Sequence, residues 1–369
     1  LLGVQAIAAQ SAYRRPARAP VGLIRGALAP SSRDPMKHPG QIALTAVARE
    51  RGGTVAAGLS LGCPRCAGSD RRPPQARRPS MPKVRVIRPN ELERDDVFLT
   101  EFYPALLAEG DSWFSLGAIP AYNMLDPLEF ATFGAVVNLA HPGDTADDMR
   151  RALPTSSARR VDLWASELVL HLADRNAYPY QGILLSAGGN DLIAAFPHLL
   201  KRDVVYPSAD PADPAALIDA DALARFDAFL TDSLTGIVRF IREEGGPNRD
   251  APIFTHTYDY PTPNDAPARI FGVRAGAAWM YPQLVAAGVP QSFWIPLSDH
   301  LIEHLARLLR GLDLVDFHVV DTLGTIQRAA LGATGASGEW DNEIHPSRRG
   351  YAKLAAKMAA AIREELGLP

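Results

Sequence analysis

Ala105-Leu106-Leu107-Ala108-Glu109-Gly110-Asp111-Ser112-Trp113 is a short apolar run that stops at a glycine and is followed at once by an acid, a hydroxyl and an aromatic ring. Ala105–Glu109 is too short for a helix and reads as a buried strand ended by Gly110. The same grammar recurs along the chain. Ala135–Ala140 (AVVNLA) runs into His141-Pro142-Gly143, and Gly182–Ser186 (GILLS) runs into Gly188-Gly189-Asn190-Asp191. Pro252–His256 and Val315–Val320 predict a fourth and a fifth strand. Helical periodicity fills the intervals, at Asp162–Asp174, Asp299–Leu312 and Arg349–Leu366. It is clearest at Asp221–Glu244, where Phe226, Phe229, Leu230, Leu234, Ile237 and Ile241 recur at helical spacing. Strands alternating with helices predict an α/β fold whose mainly parallel sheet is covered on both faces. Ligands of such sheets bind beyond the carboxyl ends of the strands. Gly110–Ser112, Gly143 and Gly188–Asn190 all fall at such ends.

Composition narrows the function classes. The 369 residues carry a formal net charge of −3, but the charge is uneven. Residues 1–80 hold 13 Lys+Arg against 3 Asp+Glu, and the remainder holds 25 against 38. An acidic body argues against nucleic acid as a partner, because phosphate binding rests on a basic footprint. No apolar run approaches the roughly 18–20 residues that span a bilayer. Leu1–Ala12 is mildly apolar with no basic segment before it, which is no clear export signal and leaves a start-truncated signal peptide as the alternative. With cysteine this sparse, the expected location is the cytoplasm.

Residues 1–80 are rich in Arg, Pro, Ala, Gly and Ser and are expected to form a disordered basic tail, with Met81 a candidate natural start and 81–99 a lead-in to a domain over 100–369. Gly58-Leu59-Ser60-Leu61-Gly62 has the form of a nucleophile elbow, yet Arg/Pro-rich sequence follows where a helix is required, so Ser60 is discounted. Cys63 and Cys66 lack a second pair that would complete a four-ligand zinc site.

The body offers a serine after the first strand, an asparagine after the third and a histidine, His345, just before the last helix. Serine attacks well only when a base takes its proton, and acyl transfer needs donors for the oxyanion. These residue types in this order resemble the GDSL/SGNH hydrolase family. Gly110-Asp111-Ser112 is similar to its first block, Gly143 to the glycine of its second, Gly188-Gly189-Asn190-Asp191 to its third and His345-Pro346 to its last. The resemblance implies a three-layer α/β/α, flavodoxin-like fold over residues 100–369 and ester hydrolysis with no cofactor and no metal. It implies Ser112 as nucleophile, His345 as general base, and an oxyanion hole made by the Ser112 and Gly143 N–H groups and the Asn190 amide. Asp111 and Asp191 read as structural.

One position departs from the family pattern. Its usual Asp, three residues before the histidine, is Asn342 here, with Asp341 before it and Glu343 after it. Asp341 is the preferred third member, with Asn342 and Glu343 as alternatives. Residues 261–296 read as an insertion whose aromatics pack it to the body, and Trp113 and Phe114 as one wall of a substrate cleft. His256 and Asp259, at the end of the fourth strand and just beyond it, read as structural. The substrate would be a small-molecule or glycan ester. An acyltransferase and a non-catalytic carbohydrate binder are the rival readings.

Overall fold

The computed structural model describes residues 83–92, 97–115, 122–154, 167–173, 177–202, 204, 210–270, 273–274 and 276–369. Ser60, Cys63, Cys66, Met81 and the tail of residues 1–80 lie outside the described residues.

Six parallel strands form the sheet: β1 (Arg85–Ile87), β2 (Ala105–Gly110), β3 (Ala135–Asn138), β4 (Gly182–Ser186), β5 (Ile253–His256) and β6 (Phe317–Val320), in the order β1-β3-β2-β4-β5-β6. Strands β2 to β5 are buried at every position, which is why each opens on a short apolar run rather than an alternating one. Helices flank the sheet: α1 (Ala146–Arg151), α2 (Glu167–Ala173), α3 (Gly189–Leu199), α4 (Ala220–Glu244), α5 (Trp294–Arg310) and α6 (Arg348–Leu366). Asp219 starts α4 by accepting from Ala222 N–H at 2.9 Å, and the helix turns Phe226, Leu230, Leu234, Ile237 and Ile241 inward. Phe229, counted with that stripe in the sequence, stands 44% exposed. Among the described residues no helix is long and apolar enough to cross a membrane.

Three expectations need correction. Residues 85–87 are not lead-in but an edge strand, paired in parallel with β3 through Arg85↔Ala135, Val86↔Val136 and Ile87↔Val137. Three residues carry too little periodicity to announce a strand; the open edge of β3 recruits them. The insertion does not extend to residue 296, because α5 begins at Trp294. Pro296 hides that start, yet proline is tolerated in a first turn, where no intrahelical partner awaits its missing N–H. Phe114, expected at a cleft wall, is wholly buried in the core.

The strand order places the site. The chain leaves β2 for β3 on one side and returns to β4 on the other, so the switch point lies at the carboxyl ends of β2 and β4. There Gly110 and Ser186 are register partners. A Cβ on Gly110 would lie 2.5 Å from Ser186 O, so only glycine lets the strands meet and the chain turn into Asp111-Ser112.

Candidate active site

Ser112 and His345 come from opposite ends of the body. The segment after β2 is a tight turn in which Phe114 and Ser115 N–H both donate to Asp111 O, at 3.1 and 3.0 Å, and Ser112 sits on its crest. His345 sits in a second turn, closed by Asp341 N–H donating to His345 O at 2.9 Å, directly before α6. The Trp113 indole N–H donates to Ile344 O at 3.1 Å and ties the two turns together.

Ser112 Oγ lies 2.8 Å from His345 Nε2. His345 Nδ1 lies 3.0 Å from Asn342 Oδ1, and both side chains are buried. Asn342 Oδ1 also accepts from Ile344 N–H at 3.1 Å and His345 N–H at 2.9 Å. Backbone N–H groups only donate, so the amide oxygen must face this cluster, and Nδ1 must carry the ring proton. Nε2 is left bare to accept from the serine hydroxyl. Burial pushes the imidazole down to about 4, so it is neutral across the ordinary pH range.

The expectation for Asp341 is corrected by this geometry. The acceptor on Nδ1 is Asn342; Asp341 contributes its backbone N–H to the closure of the turn. Glu343 points away from the imidazole into the segment 264–281. Its carboxylate accepts from Asn264 N–H at 3.2 Å, Met280 N–H at 2.9 Å, Tyr281 N–H at 2.7 Å and Trp279 N–H. Desolvation nevertheless raises it to about 7. This grip brings the Trp279 ring edge-on to His345, with centroids 5.3 Å apart.

Asn190, in the first turn of α3, donates from Nδ2 to Asp144 O at 3.0 Å, which fixes the amide; among the described residues its second N–H has no acceptor. Among the described residues the N–H groups of Ser112 and Gly143 have no acceptor. Gly143 has φ +92, and a Cβ there would meet nothing within 4 Å. Glycine is thus required by backbone conformation and not by crowding from the protein. Asp191 accepts from Ala146 N–H at 2.9 Å and Gly188 N–H at 3.2 Å and fastens the starts of α1 and α3. Asp259 accepts from the backbone N–H groups of Tyr260, Gly324, Thr325 and Ile326, a structural use.

A narrow cavity of about 40 Å³ opens beside Ser112 and Asn190, walled by Trp113, Leu192, Phe196 and Leu301. Phe293 and Trp294 are buried, and Tyr281 meets Trp294 edge-on at 5.4 Å, so these aromatics pack the segment to the body.

Two groups of side chains could hold a cation among the described residues, Glu109–His141–Asp144 and Asp316–His318–Glu365. The second is held together by its own contacts, His318 Nε2 to Asp316 at 3.2 Å and His318 Nδ1 to Glu365 at 3.6 Å. Neither group includes a member of the Ser112–His345–Asn342 relay.

Sequence reading missed Tyr258, whose hydroxyl donates to Asp111 Oδ2 at 2.5 Å across 147 positions of chain. Its only signal was its place just beyond the fourth strand.

No protein-family profile matches the chain, and no curated protein matches its sequence. Among solved structures it is similar to a carbohydrate acetylesterase family member from Sinorhizobium meliloti, at 16% identity over 72% of this chain and 99% of that one, with a TM-score of 0.39. A possible lipase from Chitinophaga pinensis is 14% identical over 72% and 99% of the two chains, with a TM-score of 0.37. An extracellular lipase from Streptomyces rimosus is 15% identical over 70% and 98%, with a TM-score of 0.36.

Proposed function

We propose that this chain hydrolyses carboxylic esters of small molecules or glycans through an acyl-enzyme on Ser112. The observation that carries the reading is the relay Ser112 Oγ to His345 Nε2 at 2.8 Å and Nδ1 to Asn342 Oδ1 at 3.0 Å, in the one tautomer that can act as base. Ser112 attacks the ester carbonyl as Nε2 takes the hydroxyl proton. The tetrahedral oxyanion takes hydrogen bonds from the Ser112 and Gly143 N–H groups and the Asn190 amide. Imidazolium returns the proton to the leaving alcohol. Water, deprotonated in turn by Nε2, then attacks the acyl-enzyme and frees the acid and Ser112.

A fluorophosphonate mimics the tetrahedral stage and reacts only with an activated hydroxyl. Incubation followed by peptide mapping is expected to find the label on Ser112, and none after heat denaturation. Labelling of another residue, or none on folded and active protein, removes the mechanism.

Asn190→Ala is expected to lower kcat by roughly 10²–10³-fold, since one oxyanion donor is worth ~2.7–4 kcal/mol of transition-state stabilisation. KM should move little, because the ground-state carbonyl carries less charge. A change confined to KM would make Asn190 a binding residue instead.

A further inference from the structure

Behind the nucleophile turn lies a second polar chain that the proposed reaction does not use. Asp111 Oδ1 is 2.7 Å from Ser186 Oγ, Ser186 Oγ is 2.9 Å from His256 Nε2, and His256 Nδ1 is 3.2 Å from Thr257 O. All four residues are at most 1% exposed. The hydrogens of this chain can be counted from its far end.

Thr257 O is a carbonyl and only accepts, so Nδ1 must carry hydrogen. If the imidazole is neutral, Nε2 is bare and needs a donor, and the nearest is the Ser186 hydroxyl. That hydroxyl has one hydrogen, which is now spent. The 2.7 Å contact to Asp111 then requires a hydrogen from the other side, so Asp111 is a carboxylic acid. The only other satisfied arrangement has an imidazolium, with the Ser186 hydrogen turned to an aspartate. Both hold one proton more than an aspartate plus a neutral histidine. They interconvert by moving two hydrogens along the chain, with no change in total charge.

We infer that Asp111, Ser186 and His256 share one stored proton, that it rests on Asp111, and that His256 is thereby a positioning residue for the Ser112 turn. Burial chooses between the two arrangements. An imidazolium in a fully buried site is costlier than a neutral acid bonded to a hydroxyl. Trp113 stacks on His256 with centroids 5.3 Å apart and 14° between planes, and Phe114 lies at 5.6 Å, so the ring is sealed by apolar faces. Desolvation lowers His256 to about 4 and raises Asp111 to about 6, the same ordering.

The other titratable groups that face the chain do not neutralise an aspartate. Tyr258, beyond β5, donates to Asp111 Oδ2 at 2.5 Å and lies 3.4 Å from Ser186 Oγ, longer than either link of the chain. Asp191 of α3 and Tyr351 of α6 are raised chiefly by burial, and a charged Asp111 would raise both further, so neither supplies a compensating cation. Among the described residues no lysine or arginine acts on Asp111.

The stored proton serves the position next door. Asp111 Oδ1 also accepts Trp113 N–H at 2.9 Å, so the side chain brackets Ser112 from both sides. Held neutral, it places no negative charge beside the atom where an alkoxide and then an oxyanion develop. If the proton leaves, only two hydrogens remain for three links, and one link of the chain must break.

Nuclear magnetic resonance of the full chain labelled with 15N-histidine and with 13C at the aspartate carboxyls tests this without reference to turnover, so it can fail while Ser112 still labels, and the reverse. His256 is assigned by its loss in His256→Gln and Asp111 by its loss in Asp111→Asn. At pH 5 the expected spectrum has Nδ1 protonated, Nε2 bare and a protonated Asp111 carboxyl. In His256→Gln the amide NH₂ donates to Ser186, whose hydrogen swings to Asp111 and favours the carboxylate. The Asp111 midpoint is then expected to fall by about one pH unit or more. A neutral ring protonated on Nε2, an imidazolium, or an Asp111 midpoint unmoved by the substitution overturns the inference. The wild-type spectrum decides the matter even if the variant does not fold.

Discussion

Ser112→Ala is expected to lower kcat on an activated ester such as p-nitrophenyl acetate by roughly a million-fold, the scale seen when the nucleophile of a serine-histidine unit is removed. His345→Ala should cost about as much. The double variant should be no worse than either single one, because the two groups act on one proton in one step. This non-additivity is the informative result. The two residues are 233 positions apart in sequence and 2.8 Å apart in space, so only the fold can couple them. Initial rates on the three variants, with thermal midpoints measured alongside, provide the check. Ser112→Ala removes one hydroxyl from the 7% exposed crest of a turn whose fastenings come from Asp111 and Trp113, so the midpoint should move by only a few degrees. A loss of merely tenfold, or losses that multiply in the double variant, would end the acyl-enzyme reading.

The legible and the illegible parts of this chain divide along a physical line. Strands β2 to β5 were legible because burial on both faces leaves an apolar run that stops at a polar or glycine residue. The meeting of Ser112 with His345, and of Ser112 with Asn190 at one cavity, was legible because each residue follows a strand or precedes a helix, and the topology gathers such ends at one rim. Contacts between neighbours in sequence were not. Asp341, Asn342 and Glu343 are three consecutive polar side chains, and spacing alone cannot say which one meets the imidazole. The answer lies in a turn closed by Asp341 N–H on His345 O, which sends Asn342 under the ring and Glu343 toward four backbone donors of a segment more than sixty residues upstream. The Asp111–Ser186–His256 chain was invisible for a related reason. Each of its residues reads as ordinary loop or strand polarity until the sheet register sets Gly110 opposite Ser186.

The amide at position 342 makes a prediction of opposite character to a missing carboxylate. In serine proteases an Asp→Asn exchange behind the histidine costs about 10⁴ in kcat, because it leaves the wrong tautomer. Here Ile344 and His345 N–H groups hold the amide oxygen against Nδ1, so the tautomer is the productive one and the amide is competent. Asn342→Leu removes that acceptor and is expected to lower kcat by about 10⁴. Asp341→Asn should leave kcat unchanged. Asn342→Asp should keep the enzyme active but move its pH profile. The base must be neutral, and in the native protein burial alone holds His345 at about 4, so kcat/KM should rise through that pH and stay level through neutrality. A carboxylate at 342 favours the imidazolium and raises the histidine, so the rising limb should shift toward alkaline pH by about one unit or more. The variant would then be the weaker enzyme at pH 5 and at least the equal of the native one at pH 8. Profiles from pH 3.5 to 9 on the three variants decide it. A large loss in Asp341→Asn, with the Asn342 variants unaffected, would return the third role to the carboxylate that the structure sets aside.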